Sequence, residues 1–165
     1  CEVDAMLKLI IDLVLTYIST VAFGIILNIP RRALNTSGWI GLLSFLAYKL
    51  YLMAGGGIVG GNFLGALLIG ILSMQAARWL KMPVINFNIP SLVPFVPGGQ
   101  AYQMVKNFAL GNSGVALQYL LEVAEIAGAI AFGFLLAELV NRLQARIMVR
   151  FSSKWRHERH RNPKL

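Results

Sequence analysis

The stretch that decides the fold runs Asn86-Phe-Asn-Ile-Pro90-Ser-Leu-Val-Pro94-Phe-Val-Pro97-Gly98-Gly99-Gln-Ala-Tyr102, with long apolar segments on both sides. Each proline removes a backbone hydrogen-bond donor and clashes with the preceding helical turn, so the stretch predicts a break in a helix. Irregular backbone is tolerated in a membrane only where it is buried in protein or lines a wet cavity. We therefore expect a transport site beside this break.

The composition places the rest of the chain in a lipid bilayer. Hydrophobic residues make up 57% of the 165 residues, charged residues 13%, and the mean hydropathy is +0.66. A soluble domain carries about 25% charged residues. The sequence therefore predicts an all-α integral membrane protein. Its one cysteine, Cys1, excludes an internal disulfide and a cysteine-based metal site.

About five transmembrane helices are expected, because the apolar runs are long enough to span and no charged linker separates them. The fourth is the one broken by the Pro/Gly-rich segment. Together they predict a membrane domain over 1–141 and a basic, helical cytoplasmic tail over 142–165. The expected spans cover about residues 6–28, 39–54, 62–80, 84–108 and 115–140.

Charge predicts the orientation, because cytoplasmic loops near membrane spans carry an excess of Lys and Arg. Arg31 and Arg32 follow the first span, and Arg78 and Lys81 follow the third. If the broken segment crosses, the basic tail lies on the same side as these two loops. We therefore expect the N-terminus outside and the C-terminus inside. The tail itself is interpreted as an anchor to anionic headgroups, with no nucleic-acid partner.

Ionisable residues within the spans are the next candidates, since charge is costly at that depth. Lys8 and Asp12 are four residues apart and are expected to neutralise each other. Lys49 either reaches the membrane surface or offers a cation to an anionic substrate. Glu122 and Glu125 share a helix face, where they either carry protons or pair with Lys49 or Lys106.

Motifs typical of enzymes are missing from the sequence: it has no nucleophile elbow, no HExxH and no phosphate-binding loop. We expect no catalytic residues, no cofactor and no metal site. Glycines repeat every four residues at Gly57, Gly61 and Gly65. This spacing favours close helix packing, within the chain or between the copies of an oligomer.

Three motifs, in this order, resemble the threonine/serine exporter family in its split form. They are Asn28-Ile-Pro30-Arg31-Arg32-Ala33-Leu34, then Gln75-Ala-Ala-Arg78-Trp79 after Gly70, then Val93-Pro94-Phe-Val-Pro97-Gly98-Gly-Gln-Ala-Tyr102. The resemblance covers nearly the whole chain through the fifth span, and the basic tail lies outside it. In the split form a small membrane protein works with a second, separately encoded membrane subunit.

The resemblance implies a subunit of a secondary exporter in the bacterial cytoplasmic membrane, moving small polar carboxylates out of the cell. Threonine or serine is the expected substrate, and a dicarboxylate such as succinate is the alternative. The start of the helix after Gly98 would face the substrate carboxylate with its positive dipole end. Tyr102 would donate a hydrogen bond to it. The substrate-binding residues expected are Pro94, Pro97, Gly98, Tyr102, Asn28, Pro30, Lys49, Glu122 and Glu125, with Arg32 and Arg78 at the cytoplasmic entrance.

Two interpretations stay open for several of these residues. Arg32 and Arg78 fit orientation anchors as well as an entrance, and Asn28 before Pro30 fits a simple helix stop. The coupling ion is also open. A membrane scaffold with no transport path is the alternative of another class, and it would be favoured if the break were packed dry against other helices.

Overall fold

The computed structural model describes the backbone of residues 2–161 and the side chains of residues 6–144. Within that part the secondary structure is entirely helical. Six α-helices and one 3-10 turn follow each other along the chain. They are α1 (Glu2–Ile26), α2 (Arg31–Met53), α3 (Ile58–Leu80), α4 (Ile85–Leu92), the 3-10 turn (Val93–Phe95), α5 (Gly98–Ala109) and α6 (Ser113–Arg161). The basic side chains predicted beyond residue 144 lie outside the described side chains.

Helices α1, α2 and α3 form an antiparallel series joined by short turns. Asn28, in the left-handed conformation with φ 55°, ends the first helix, and Pro30 caps the second. Helix α2 thus begins at Arg31, well before the span expected from residue 39, because a proline just ahead of a helix is compatible with its start. Arg31 and Arg32 occupy its first turn. We call this end, which also holds Arg78, the arginine end of the bundle, and the opposite end the cavity end.

Helix α3 lies at the centre of the bundle, in contact with α2, α4 and α6. Small residues allow the close approach to α6: a Cβ atom added at Gly133 would lie 2.7 Å from the carbonyl oxygen of Phe63. Farther along both helices, the side-chain amide of Asn141 donates to the Gly70 carbonyl oxygen at 3.4 Å. Residue numbers rise together on the two helices, so α3 and α6 run parallel.

The segment between these parallel helices returns from the arginine end to the cavity end. Helix α4 starts the return, the 3-10 turn packs against α1, α2 and α3, and α5 packs against α6. Contrary to the expectation of irregular backbone from residue 86, α4 continues through Pro90. Pro90 is fully buried and faces Gly24 of α1, where a Cβ atom would lie 3.8 Å from its ring. The packing around the ring offsets the one backbone hydrogen bond that it removes.

Within the described residues, three helices are long and apolar enough to cross a membrane by length and composition: Met6–Ile26 in α1, Ile58–Leu80 in α3, and Ser113–Gln144 in α6. Helix α6 reaches farther than α3 at the cavity end, since Ile126 lies beside Ile58, the first residue of α3. The part of α6 before Ile126 pairs with α5 and extends about 20 Å beyond the start of α3, at 1.5 Å per residue. We call this pair the projecting hairpin.

Candidate functional site

A cavity of about 220 Å³ lies at the cavity end of the bundle, beside the proline-rich segment. Four consecutive residues of that segment, Pro94 to Pro97, form one wall. Helices α2, α3, α5 and α6 provide the others. Drug-sized ligands occupy pockets of roughly 300–1,000 Å³, so this volume suits a smaller molecule. The remaining lining residues are Phe45, Tyr48, Lys49, Ile58, Asn62, Gln100 and Ile126.

An ion pair flanks this cavity. Lys49 lines the cavity, and its ammonium lies 2.7 Å from a carboxylate oxygen of Asp12 on α1. It also lies 5.5 Å from the centroid of the Phe45 ring. The side chains of Lys49 and Asp12 are 30% and 39% exposed, so both charges remain within reach of a ligand. The expectation that Asp12 pairs with Lys8 along α1 is wrong, because the antiparallel packing of α1 and α2 brings Lys49 closer.

The start of α5 provides neutral hydrogen-bond donors at the same cavity. Pro97 caps the helix, and the Gly98 N–H donates back to the Val96 carbonyl oxygen at 2.7 Å. Gly99 and Gln100 follow in the first turn, where a helix has no internal acceptors for its N–H groups. A Cβ atom added at either Gly98 or Gly99 would meet no atom within 4 Å. A ligand can therefore approach this positive helix end without obstruction.

Asn62 is the polar residue of α3 in this wall, and it is only 5% exposed. Its side-chain N–H₂ donates to the Ile58 carbonyl oxygen at 2.9 Å. Sequence patterns did not indicate Asn62, Gln100 or the role of Asp12 beside Lys49. A lone Asn at the start of an apolar, glycine-rich run was the one available signal for Asn62.

Of the expected binding residues, the structure brings Lys49, Pro94 and Pro97 together at the cavity. Gly98 is exposed next to it, and Tyr102 is 66% exposed on the projecting hairpin. Glu122 and Glu125 are exposed on the same hairpin. Neither is the partner of Lys49, since that partner is Asp12.

The other four expected residues lie at the arginine end, on the far side of the bundle from the cavity. Asn28 and Pro30 form the α1–α2 turn, and Arg32 is exposed at the start of α2. Arg78 is exposed at the end of α3 and donates to the Asn141 carbonyl oxygen at 3.4 Å. They are therefore separate from the cavity, and they lie at the opposite end of the bundle from it.

Comparison with known protein families shows which family this chain belongs to. Residues 12–140 match the model of the family described as Threonine/Serine exporter, ThrE. The chain belongs to the threonine/serine exporter family. No solved structure matches the chain.

The family match confirms that the chain is a threonine/serine exporter family member and makes it a transmembrane protein of the amino-acid exporter type. It points to a transporter rather than to an enzyme. The matched residues begin at Asp12 and end at Val140. They contain both partners of the ion pair and every residue that lines the cavity.

Proposed function

We propose that this chain is a membrane subunit of a secondary exporter that moves threonine and serine out of the bacterial cell. The observation that carries the proposal is the Lys49–Asp12 ion pair at the cavity of a threonine/serine exporter family member. The substrates are zwitterions, with one carboxylate and one ammonium group. Lys49 would bind the first and Asp12 the second, so the substrate would exchange partners with an existing ion pair.

The start of α5 would complete the site for the substrate carboxylate. Its first-turn N–H groups and positive dipole end favour an anion. The stabilisation is typically about 0.3–1 kcal/mol for one negative charge at an exposed helix start. Asn62 and Gln100 add side-chain amides to the cavity wall. These neutral groups suit the polar side chain of a hydroxy amino acid, because amides both donate and accept hydrogen bonds.

The arrangement across the membrane is part of the proposal. Five crossings would be α1, α2, α3, the α4-to-Pro97 segment and α6. The parallel course of α3 and α6 supports the fourth, because the chain between them must return from one end of the bundle to the other. Positive residues at the arginine end and in the tail support a cytoplasmic position for both, with the N-terminus outside. Residues 1–141 would form the membrane domain and 142–165 the tail.

A second, separately encoded membrane subunit is proposed as the partner, in an oligomer within the bilayer. The projecting hairpin supports this, because it exposes large apolar side chains outside the bundle. Tyr102, Val105 and Phe108 on α5 are each at least 60% exposed, and Leu117 and Leu121 on α6 are 55% and 56% exposed. Apolar area of this kind marks a contact with protein or lipid.

A dicarboxylate such as succinate is the alternative substrate. Two carboxylates would favour two free cations, whereas Lys49 is already paired with Asp12. A scaffold without a transport path is the alternative of another class. The cavity beside Pro94 and Pro97, with Lys49 in its wall, favours the exporter over a break packed dry.

Efflux from preloaded cells tests this function. Cells that produce the chain with its candidate second subunit are loaded with labelled threonine, serine or succinate, and efflux is compared with cells lacking both. We expect faster efflux of threonine and serine. Lys49→Met should reduce it at least about tenfold at equal membrane abundance, equivalent to 1.4 kcal/mol of binding. Lys106→Met, an exposed lysine outside the cavity, is the matched control and should leave efflux unchanged.

The Asp12→Asn variant separates the two substrate classes. It removes the group proposed to bind ammonium and leaves the Lys49 cation available to a second carboxylate. Threonine efflux should fall, and succinate efflux should rise relative to it. Wild-type efflux of threonine and serine no faster than in cells without the chain would refute the proposed function. Efflux of succinate alone would favour the alternative.

A further inference from the structure

Five buried hydroxyl groups lie on α1, α2 and α4, three helices that contact one another. They belong to Thr16, Thr20, Ser37, Ser44 and Ser91, and each residue is at most 5% exposed. We call this row the hydroxyl seam. The rest of the described core consists mostly of apolar or small side chains. The other buried polar residues, Asn62, Ser73 and Asn141, lie on α3 and α6, and the Ser73 hydroxyl also has no hydrogen-bond partner within the described part of the chain. A concentrated row of polar groups in such a core needs a physical reason, because burying a hydroxyl is costly.

The α1 side of the seam starts at the ion pair. Asp12, Thr16 and Thr20 are four residues apart and therefore share one helix face. The Thr16 hydroxyl donates to the Asp12 backbone carbonyl at 2.7 Å, and the Thr20 hydroxyl donates to the Thr16 carbonyl at 2.8 Å. Thr20 faces α2, where a Cβ atom added at Gly41 would lie 2.7 Å from its hydroxyl oxygen. This face leads from Asp12 about 12 Å into the bundle, at 1.5 Å per residue.

The α2 side of the seam runs antiparallel to it. Ser37, Gly41 and Ser44 are spaced by four and three residues on one face, and Lys49 follows at the cavity. The hydroxyl of Ser91, on α4, donates to the Ser37 backbone carbonyl at 2.9 Å. The seam is thus bounded by three helices and leads from the cavity toward the arginine end.

Helix packing accounts for most of these hydroxyls but not for Ser44. Thr16, Thr20 and Ser37 each donate to a carbonyl of their own helix, as is common in membrane helices. Ser44 is 0% exposed, and its hydroxyl has no hydrogen-bond partner within the described part of the chain. Leaving such a group unsatisfied is destabilising, because it gives up hydrogen bonds to water without replacing them. Ser44 precedes Phe45, which lines the cavity and packs on Phe95.

We infer that the hydroxyl seam is the closed continuation of the transport path, and that Ser44 binds the substrate in transit. This rests on the proposed function, in which the cavity receives a hydroxy amino acid. The hydroxyls would replace hydrogen bonds that the substrate makes to water outside the bundle. The path is closed in this structure, since every seam residue is buried and the ring of Phe45, the residue after Ser44, packs against Phe95.

Thiol accessibility tests this inference independently of efflux. Ser44→Cys is combined with Cys1→Ser, so that the introduced thiol is the single one in the chain. Membrane vesicles containing the chain and its candidate second subunit are treated with a membrane-impermeant, positively charged methanethiosulfonate reagent. Ala66→Cys in the same background is the matched control. Ala66 is equally buried at 0% exposure, but it faces Gly133 of α6 and lies outside the seam.

We expect the thiol of Ser44→Cys to react at least about tenfold faster than that of Ala66→Cys, because reactivity follows access. Saturating threonine should slow this reaction. Equal, slow reaction of both variants would overturn the inference, even if wild-type efflux is normal. Fast, threonine-protected reaction would support it. Fast reaction that threonine does not slow would overturn the role of Ser44 in binding.

Efflux of wild type in the same preparation keeps the two proposals apart. If wild type exports threonine while Ser44→Cys stays unreactive and Ser44→Ala transports normally, the seam is only a packing interface. If wild type exports neither threonine nor serine, the proposed function fails. Fast reaction of Ser44→Cys would then still identify a water-filled path, for a different substrate.

Discussion

The close contact between Gly65 of α3 and Phe95 of the 3-10 turn holds the proline-rich segment in place, and a substitution at Gly65 tests it. A Cβ atom added at Gly65 would lie 2.7 Å from Cζ and 3.0 Å from Cδ1 of the Phe95 ring. Ordinary contact begins at 3.4 Å, so the ring must move. It is enclosed by Phe45 and Tyr48, with ring centroids 6.0 Å and 5.9 Å away, and is 4% exposed. Gly65→Ala should therefore displace Phe95 from its packing.

The expected loss comes from overpacking, which typically costs about 1–3 kcal/mol in a core. Replacing Gly by Ala inside a helix offsets part of this, by about 1 kcal/mol. Gly128→Ala, in α6, isolates the offset because no atom lies within 4 Å of its added Cβ. With overpacking of about 2 kcal/mol, Gly65→Ala should unfold roughly 4–8 °C below Gly128→Ala.

Thermal unfolding of the detergent-solubilised protein, followed by circular dichroism, measures this difference. Phe95→Leu provides the second arm of a double-mutant cycle, because a smaller side chain leaves room for the new methyl group. In that background Gly65→Ala should cost little or nothing, giving a coupling of about 1–2 kcal/mol. The reasoning is refuted if Gly65→Ala unfolds at the same temperature as Gly128→Ala, or if Phe95→Leu leaves the gap unchanged.

Three further outcomes are expected. Gly133→Ala should lower the unfolding temperature, because its Cβ would lie 2.7 Å from a backbone oxygen and 3.1 Å from a backbone nitrogen of α3, and backbone atoms cannot rotate away. An unchanged unfolding temperature would contradict the close α3–α6 approach. Ser91→Ala should cost about 0.5–1.5 kcal/mol by removing the hydrogen bond to the backbone of α2, and unfolding that matches wild type would contradict that bond. In intact cells and in the Cys1→Ser background, an impermeant thiol reagent should label Gly57→Cys in the α2–α3 turn but not Lys81→Cys, and the reverse pattern would overturn the proposed orientation.

The helices and the family could be predicted because both depend on local patterns. An apolar run of suitable length predicts a membrane helix whatever surrounds it, and the motifs around Pro30, Arg78 and Pro94 are readable in order along the chain. The proline-rich segment was also a sound guide to the cavity, since Pro94 and Pro97 form part of its wall.

The partners within the site could not be predicted in the same way. Asp12 has Lys8 four residues away on its own helix. Lys49 is its partner only because of how far α1 and α2 are shifted along each other's axes. This axial shift depends on tight contacts of Gly38 and Gly41 with α1, and hydropathy does not encode such contacts. Glu122 and Glu125 were offered as possible partners of Lys49 for a similar reason. Their sequence position gives no sign that α6 begins far beyond the start of α3.

Helix α6 has a mechanical consequence that follows from its length. Its 49 residues extend about 74 Å at 1.5 Å per residue, more than twice the roughly 30 Å of a hydrocarbon core. It is continuous from the hairpin at one end to the basic tail at the other. A rigid rod of this length, turned by 10° about its midpoint, moves each end by about 6 Å. In the proposed arrangement across the membrane, helix α6 would therefore convert a movement at one end of the bundle into displacement at the other.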